Sequence, residues 1–326
     1  MASPIDRKSE SRKNLTILLI SAHPPIDYEL TTNWVKDGHT VYLISHTVPW
    51  EDQFNPLDSS VNRRIPETPP NLIIVEHISD TLFAISLKIR KMWFRSKLVM
   101  IHWWFPDRNP VLYFFRNISV CQFESRYLRK ILGIRSGVVY CPVDTKFFRK
   151  VGEPDDPPRI LVIGNGFRNR KIMGFDHLLK ILEKIHSLHP EFTLVITGTN
   201  RKEDFQDYVS VINSRKDELL REINRASVVF FTTTRNLIMN SMQIAMACER
   251  KVVAFDLEPF HEVIENGVSG FLIPGFDDDL FANTVIRAAM DKSGDMGKRA
   301  RENIVQKCES EMVSKQIIEH SMKWTK

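Results

Sequence analysis

The chain has 326 residues, of which 43% are hydrophobic and 26% charged, a balance that excludes disordered and fibrous proteins. Its length fits two domains of about 150 residues each. The net charge of +5 is mild and spread along the sequence; it helps approach to a phosphorylated substrate or an anionic membrane but does not mark a nucleic-acid binder.

In chain order, residues 1–13 are a polar extension without the apolar core of a signal peptide. Short apolar runs then alternate with helical patterns, as in parallel sheets covered by helices. Strands are predicted over Leu15–Ser21, Thr40–Ser45, Asn71–Val75, Lys97–His102, Ile118–Phe123 and Val138–Tyr140. Strands this apolar are buried on both faces. Between them, Tyr28–Lys36, Leu82–Trp93 and Ser125–Leu132 read as helices. Residues 150–159 (KVGEPDDPPR) read as a linker, because proline removes backbone donors and stiffens an extended path.

The pattern then restarts, with strands predicted over Ile160–Gly164, Phe192–Gly198, Val228–Thr233, Val252–Phe255 and Phe271–Ile273. Phe175, Leu178, Leu179, Leu182, Ile185 and Leu188 fall on one face of the clearest helix, which Pro190 closes. Asp277–Asp279 open another, and the last 28 residues read as helical and charged. No apolar stretch of about 20 residues occurs, so no membrane span is predicted and the expected location is the cytoplasm. Cys121, Cys141, Cys248 and Cys308 lack paired spacing and read as buried free thiols. His186 and His189 have no partner that would make a metal site.

The expected architecture is α/β: two Rossmann-like, doubly wound parallel-sheet domains over 14–149 and 160–310. They face an interdomain cleft, and a C-terminal helix over 311–326 packs back on the first. Ligands bind at the carboxyl ends of strands in such sheets. The segment Ile163-Gly164-Asn165-Gly166-Phe167-Arg168-Asn169-Arg170-Lys171 follows the first strand of the second domain. Its glycines allow close backbone approach, and three cations lie just ahead of a helix N-terminus, which together suit a diphosphate. The plainer reading is a turn with solvated basic residues. Trp103-Trp104-Phe105 offers either core residues or a platform for a sugar acceptor. The stretch Leu87–Lys97 mixes cations with aromatics, which reads first as a solvated helix face and second as a contact with anionic lipid.

Further motifs carry a resemblance. Ala245-Met246-Ala247-Cys248, Val252-Val253-Ala254 and Glu262-Val263-Ile264…Gly267…Gly270-Phe271-Leu272-Ile273 follow one another in the order and spacing of the retaining GT-B glycosyltransferases that include sucrose synthases and bacterial phosphatidylinositol mannosyltransferases. Gly164, Arg170 and Lys171 resemble the family's basic glycine loop. Gly38-His39-Thr40-Val41, Val99-Met100-Ile101-His102, Ser125-Arg126-Tyr127-Leu128-Arg129 and Pro142-Val143-Asp144…Phe148 resemble its first-domain segments.

The resemblance covers residues 14–290 and implies transfer of a sugar from a nucleoside-diphosphate sugar, with retention and without metal or other cofactor. It implies that Arg170 and Lys171 hold the diphosphate, with Gly164, Asn165, Gly166 and Arg168 in the same loop. His102 would act beside the reacting carbon, against the plainer reading of a satisfied strand-end histidine. Glu262 would cap the following helix or touch the donor. The acceptor would be a glycan, a lipid-linked group or another small molecule, with peripheral membrane contact and no nucleic acid.

Two family glutamates eight residues apart are replaced by Asn236 and Ile244, with Gln243 adjacent to the second. One helical residue turns a side chain by about 100°. Their loss motivates the alternative of a catalytically inactive GT-B protein that binds or scaffolds a partner. A nucleotide-sugar epimerase is a third reading. A dehydrogenase is disfavoured because basic residues fill the loop where its fingerprint needs spaced glycines.

Overall fold

The computed structural model describes residues 14–46, 57–103, 109–164, 170–199, 201–212, 215–236 and 239–323. Two sheets alternate with helices along the chain. The first takes β1 (Thr16–Ser21), β2 (Thr40–Ser45), β3 (Leu72–Val75), β4 (Lys97–His102), β5 (Arg116–Ser119) and β6 (Ser136–Val138), with α1 (Pro24–Lys36), α2 (Ser79–Arg90) and α3 (Gln122–Leu132) between them. The second takes β7 (Arg159–Ile163), β8 (Thr193–Thr197), β9 (Val209–Ile212), β10 (Val228–Phe231), β11 (Lys251–Phe255) and β12 (Phe271–Ile273). Its helices are α4 (Phe175–Leu188), α5 (Lys216–Arg225), α6 (Asn240–Ala247) and α7 (Asp278–Met290), followed by α8 (Asp295–Cys308) and α9 (Ser310–Lys323).

The sheets run β2-β1-β3-β4-β5-β6 and β12-β11-β10-β7-β8-β9. In each, the chain winds outward from its first strand and then returns to that strand's other side. The reversal falls between β1 and β3 in the first sheet and between β7 and β10 in the second. Such a switch point leaves a crevice at the carboxyl ends of the two strands, where open α/β sheets bind ligands. β1, β3, β7 and β10 carry buried apolar side chains on both faces, as parallel strands covered by helices require.

Among the described residues the chain divides into two compact units. One runs to Met100 and includes Val111–Arg116; the other takes in Ile101, His102 and Trp103 and runs on from Asn117. In the second unit, α4 and α7 cover one face of the sheet through Leu178, Ile181, Phe281 and Val285. On the opposite face, α6 and α8 contribute Met242, Met246, Ala300 and Ile304.

Several boundaries differ from the sequence expectation for local reasons. The expected strand over Ile118–Phe123 ends at Ser119 because α3 starts at Gln122, with the Cys121 thiol accepting from the Glu124 amide at 3.4 Å. The last strand of the first sheet is Ser136–Val138 rather than Val138–Tyr140. The C-terminal helical region breaks at Glu309, where Val143 donates to the Cys308 carbonyl at 2.8 Å and accepts from the Ser310 amide at 3.0 Å. α9 then brings His320 against Gly137 of β6. β9 and α5 carry no sequence expectation: β9 is a four-residue edge strand, and α5 is mostly polar. All four cysteines are free and buried, as expected.

Candidate functional site

At the second switch point, the turn after the glycine loop is tied to the end of β10. Thr232 Oγ1 donates to the Met173 carbonyl at 2.9 Å, Thr233 Oγ1 to Ile172 at 3.0 Å and Thr234 Oγ1 to Lys171 at 3.0 Å. The Thr234 amide adds a bond to the Ile172 carbonyl at 2.9 Å. Gly174 ends this turn at φ +62°, and a Cβ there would lie 1.9 Å from the Thr232 carbonyl oxygen. Only glycine allows so close a crossing of two backbones. Three hydroxyls and one glycine therefore fix the basic turn over the N-terminus of α4.

Gly164, at the end of β7, donates to the Thr197 carbonyl at 2.6 Å. Asn165, Gly166 and Arg168 lie outside the described residues. Arg170 is exposed, forms an ion pair with Asp204 and stacks its guanidinium 4.3 Å from the centre of the Phe175 ring. Lys171 is exposed beside it. An exposed ammonium and a pre-positioned guanidinium at a helix N-terminus have the chemistry to hold phosphate oxygens.

Asn236 is exposed just beyond the threonines, and Ile244 is half-buried against the core of the second unit. Gln243, on the first turns of α6, is fully buried with neither amide atom hydrogen-bonded. Leaving a buried amide unsatisfied is unfavourable.

His102 and Glu262 are held elsewhere. His102, at the end of β4, is buried, and its Nε2 donates to Asn117 Oδ1 on β5 at 2.8 Å. Burial lowers its pKa to about 4, partly offset by that hydrogen bond, so it is neutral at physiological pH. The Glu262 carboxylate accepts from the amides of Gln122 at 2.7 Å and Phe123 at 2.8 Å, and from the Tyr140 hydroxyl at 3.2 Å. It therefore caps the N-terminus of α3, a helix 140 residues earlier, rather than the helix that follows it. Trp103 is buried, while Trp104 and Phe105 lie outside the described residues.

The first switch point holds a cluster that sequence patterning missed. Asp27 on α1 and Glu76 after β3 are buried hydrogen-bond partners. Asp27 also accepts from Ser21 Oγ at 2.5 Å and from the His23 amide at 3.1 Å, and Glu76 from the Ala22 amide at 3.2 Å. His23 Nδ1 lies 3.8 Å from Glu76 Oε2. Burial and the neighbouring Glu76 push the Asp27 carboxyl well above the usual range, so the pair keeps a proton; burial lowers His23. Asp27 sits inside a helical stretch and Glu76 at a strand end, and no local spacing links them. The one available signal was a carboxylate directly after a four-residue apolar strand.

Residues 157–291 match the family model described as glycosyl transferases group 1. No curated protein matches the chain by sequence. Among solved structures, a glycosyltransferase from Rickettsia africae superposes with a TM-score of 0.75 at 14% identity, covering 95% of this chain and 98% of that one. Sucrose-phosphate synthase from Thermosynechococcus elongatus gives 0.73 at 16% identity, with 94% and 98% covered. Anabaena HepE in complex with UDP-glucose gives 0.71 at 16% identity, with 94% and 99% covered. The two six-stranded parallel sheets are thus those of the GT-B fold.

Proposed function

We propose that this chain, which has the GT-B fold and matches the glycosyl transferases group 1 model over residues 157–291, is a divergent glycosyltransferase that binds a nucleoside-diphosphate sugar at the β7–β10 switch point and transfers the sugar to an acceptor hydroxyl. The observation that carries this reading is the turn Lys171–Gly174, tied to β10 by three threonine hydroxyls. A turn fixed before ligand arrives does not reorganise when the diphosphate accumulates charge, and preorganised positive charge is what the departing group needs. Arg170 and Lys171 supply that charge in place of a metal ion, and the α4 N-terminus adds its dipole.

In the proposed reaction, the acceptor oxygen bonds to the anomeric carbon as the bond from that carbon to the diphosphate breaks. The hydroxyl proton leaves with the diphosphate, and the configuration is retained. His23, neutral and backed by the Asp27–Glu76 pair, has the chemistry to orient an acceptor hydroxyl in the first unit. The test is turnover with UDP-glucose, then GDP-, ADP- and dTDP-sugars. Lys171→Ala is expected to lower it by roughly 100-fold or more with an unchanged melting temperature. Equal turnover by that variant contradicts the assignment.

A further inference from the structure

The basic turn of the second unit is gripped from two sides. β7 lies between β10 and β8, and all three run parallel, so the segments that leave them emerge at one edge of the sheet. The threonines after β10 hold the carbonyls of Lys171, Ile172 and Met173. On the other flank, the chain leaving β8 forms a short helical turn, Lys202–Asp204, closed by the Phe205 amide on the Lys202 carbonyl at 3.1 Å.

This second flank reaches Arg170. Asp204 forms its ion pair with Nη2 of the guanidinium. Phe205 packs its ring 5.6 Å from that of Phe175, the ring on which the guanidinium lies. The Phe175 amide returns to the Arg170 carbonyl at 3.0 Å. Charge on one edge and rings beneath one face therefore hold the first residue of the turn, while hydroxyls hold the next three.

The pair is unequal in exposure, with the Asp204 side chain 17% exposed and that of Arg170 47%. Ion pairs between two exposed side chains contribute little. Here the carboxylate is largely enclosed and the cation opens to solvent. A guanidinium carries five N–H donors in one plane, so a carboxylate on Nη2 leaves others for phosphate oxygens. Fixing the side chain beforehand removes the rotamer freedom that a ligand would otherwise have to freeze. Lys171, by contrast, offers a point charge on a flexible stem.

A carboxylate beside a diphosphate also repels it, so two roles of opposite sign compete: a support that aims Arg170, or a counter-ion that the ligand displaces. Burial decides between them. Displacement would leave an enclosed carboxylate without its cation, which is strongly unfavourable. Given the donor site proposed above, we infer that Asp204 is a positioning residue for the diphosphate: it sets the direction of the Arg170 guanidinium, and the pair persists when the nucleotide is bound.

The test is titration calorimetry of the full chain with UDP, GDP, ADP, dTDP and inorganic pyrophosphate. The proteins compared are the parent, Asp204→Asn, Asp204→Glu, Arg170→Ala, Lys171→Ala and the double variant Asp204→Asn, Arg170→Ala. Asp204→Asn should weaken the tightest of these ligands by roughly tenfold, although it removes a negative charge from beside an anion. Asp204→Glu should recover part of that loss. The double variant should bind no more weakly than Arg170→Ala alone, because Asp204 acts through Arg170; a merely structural role would add a further loss. Equal or tighter binding by Asp204→Asn, or additive losses in the double variant, overturns the inference. If Lys171→Ala loses binding in the same series, the donor site itself stands. No binding of any of these ligands by the parent overturns both.

Discussion

At the scale of single residues, two buried titratable groups, one on α1 and one at the end of β4, respond to pH in opposite directions. Asp27 has a raised pKa in the folded chain because of burial and Glu76. Above about pH 4 the unfolded chain releases this proton while the folded chain keeps it, so stability falls as pH rises toward the folded value. Asp27→Asn removes the titration, and its melting temperature should therefore decline less than the parent's between pH 5 and 8. Parallel declines would mean that the pair does not hold the proton. His102 has the opposite sign, with its pKa lowered to about 4 by desolvation. Between about pH 6.5 and 4 the unfolded chain takes up a proton that the folded chain refuses, and stability falls with acidification. The loss attributable to this residue is on the order of 3 kcal/mol across that window. His102→Gln should flatten the denaturant midpoint over this range relative to the parent; an unchanged slope contradicts the burial argument.

At the scale of elements, the close crossing at Gly174 makes the sharpest prediction. An alanine Cβ would lie 1.9 Å from the Thr232 carbonyl oxygen, and the φ of +62° disfavours any side chain. One backbone must move, and Gly174→Ala should destabilise by about 2–4 kcal/mol, read as a shifted urea midpoint. A loss below about 0.5 kcal/mol would show that the turn is not fixed by β10. Thr233→Val removes one of the three hydroxyl ties at small change in volume, and should weaken nucleotide binding more than it lowers stability.

This turn also shows where sequence reading stops. Helix α4 was legible to its ends, because Phe175 to Leu188 repeats at helical spacing and Pro190 closes it. The glycines and cations ahead of it were equally plain. The threonines were visible as a strand end, but their bonds to residues about 60 positions earlier follow from the β7–β10 pairing, which no local pattern encodes. Glu262 illustrates the same limit, since its partners on α3 lie 140 residues away. Edge strand β9 was missed because its four residues are only partly buried and lack a clear alternation.

At the scale of the whole molecule, the alternation of short apolar strands with amphipathic helices set the fold class, and right-handed parallel crossovers limit how such units wind. The order of strands places a crevice in each unit, at β1–β3 and at β7–β10. The two crevices differ in chemistry: buried carboxyls and a neutral histidine in one, exposed cations over a helix N-terminus in the other. That difference accords with a hydroxyl-bearing acceptor and an anionic donor respectively. Under the proposed function, Asn236 and Ile244 stand where the resemblance expects two glutamates, outside the basic turn Lys171–Gly174. Contacts to the sugar and ribose should therefore differ from those of relatives while the diphosphate contact persists.

The most direct measurement is a thermal shift of the parent chain and Lys171→Ala against UDP-, GDP-, ADP- and dTDP-sugars, since a ligand that binds only the folded state raises its apparent stability. The account predicts that at least one nucleotide-sugar raises the parent's melting temperature, that the corresponding free diphosphate does so too, and that Lys171→Ala loses most of both shifts. No shift with any of them at millimolar concentration, or an undiminished shift in Lys171→Ala, would contradict it.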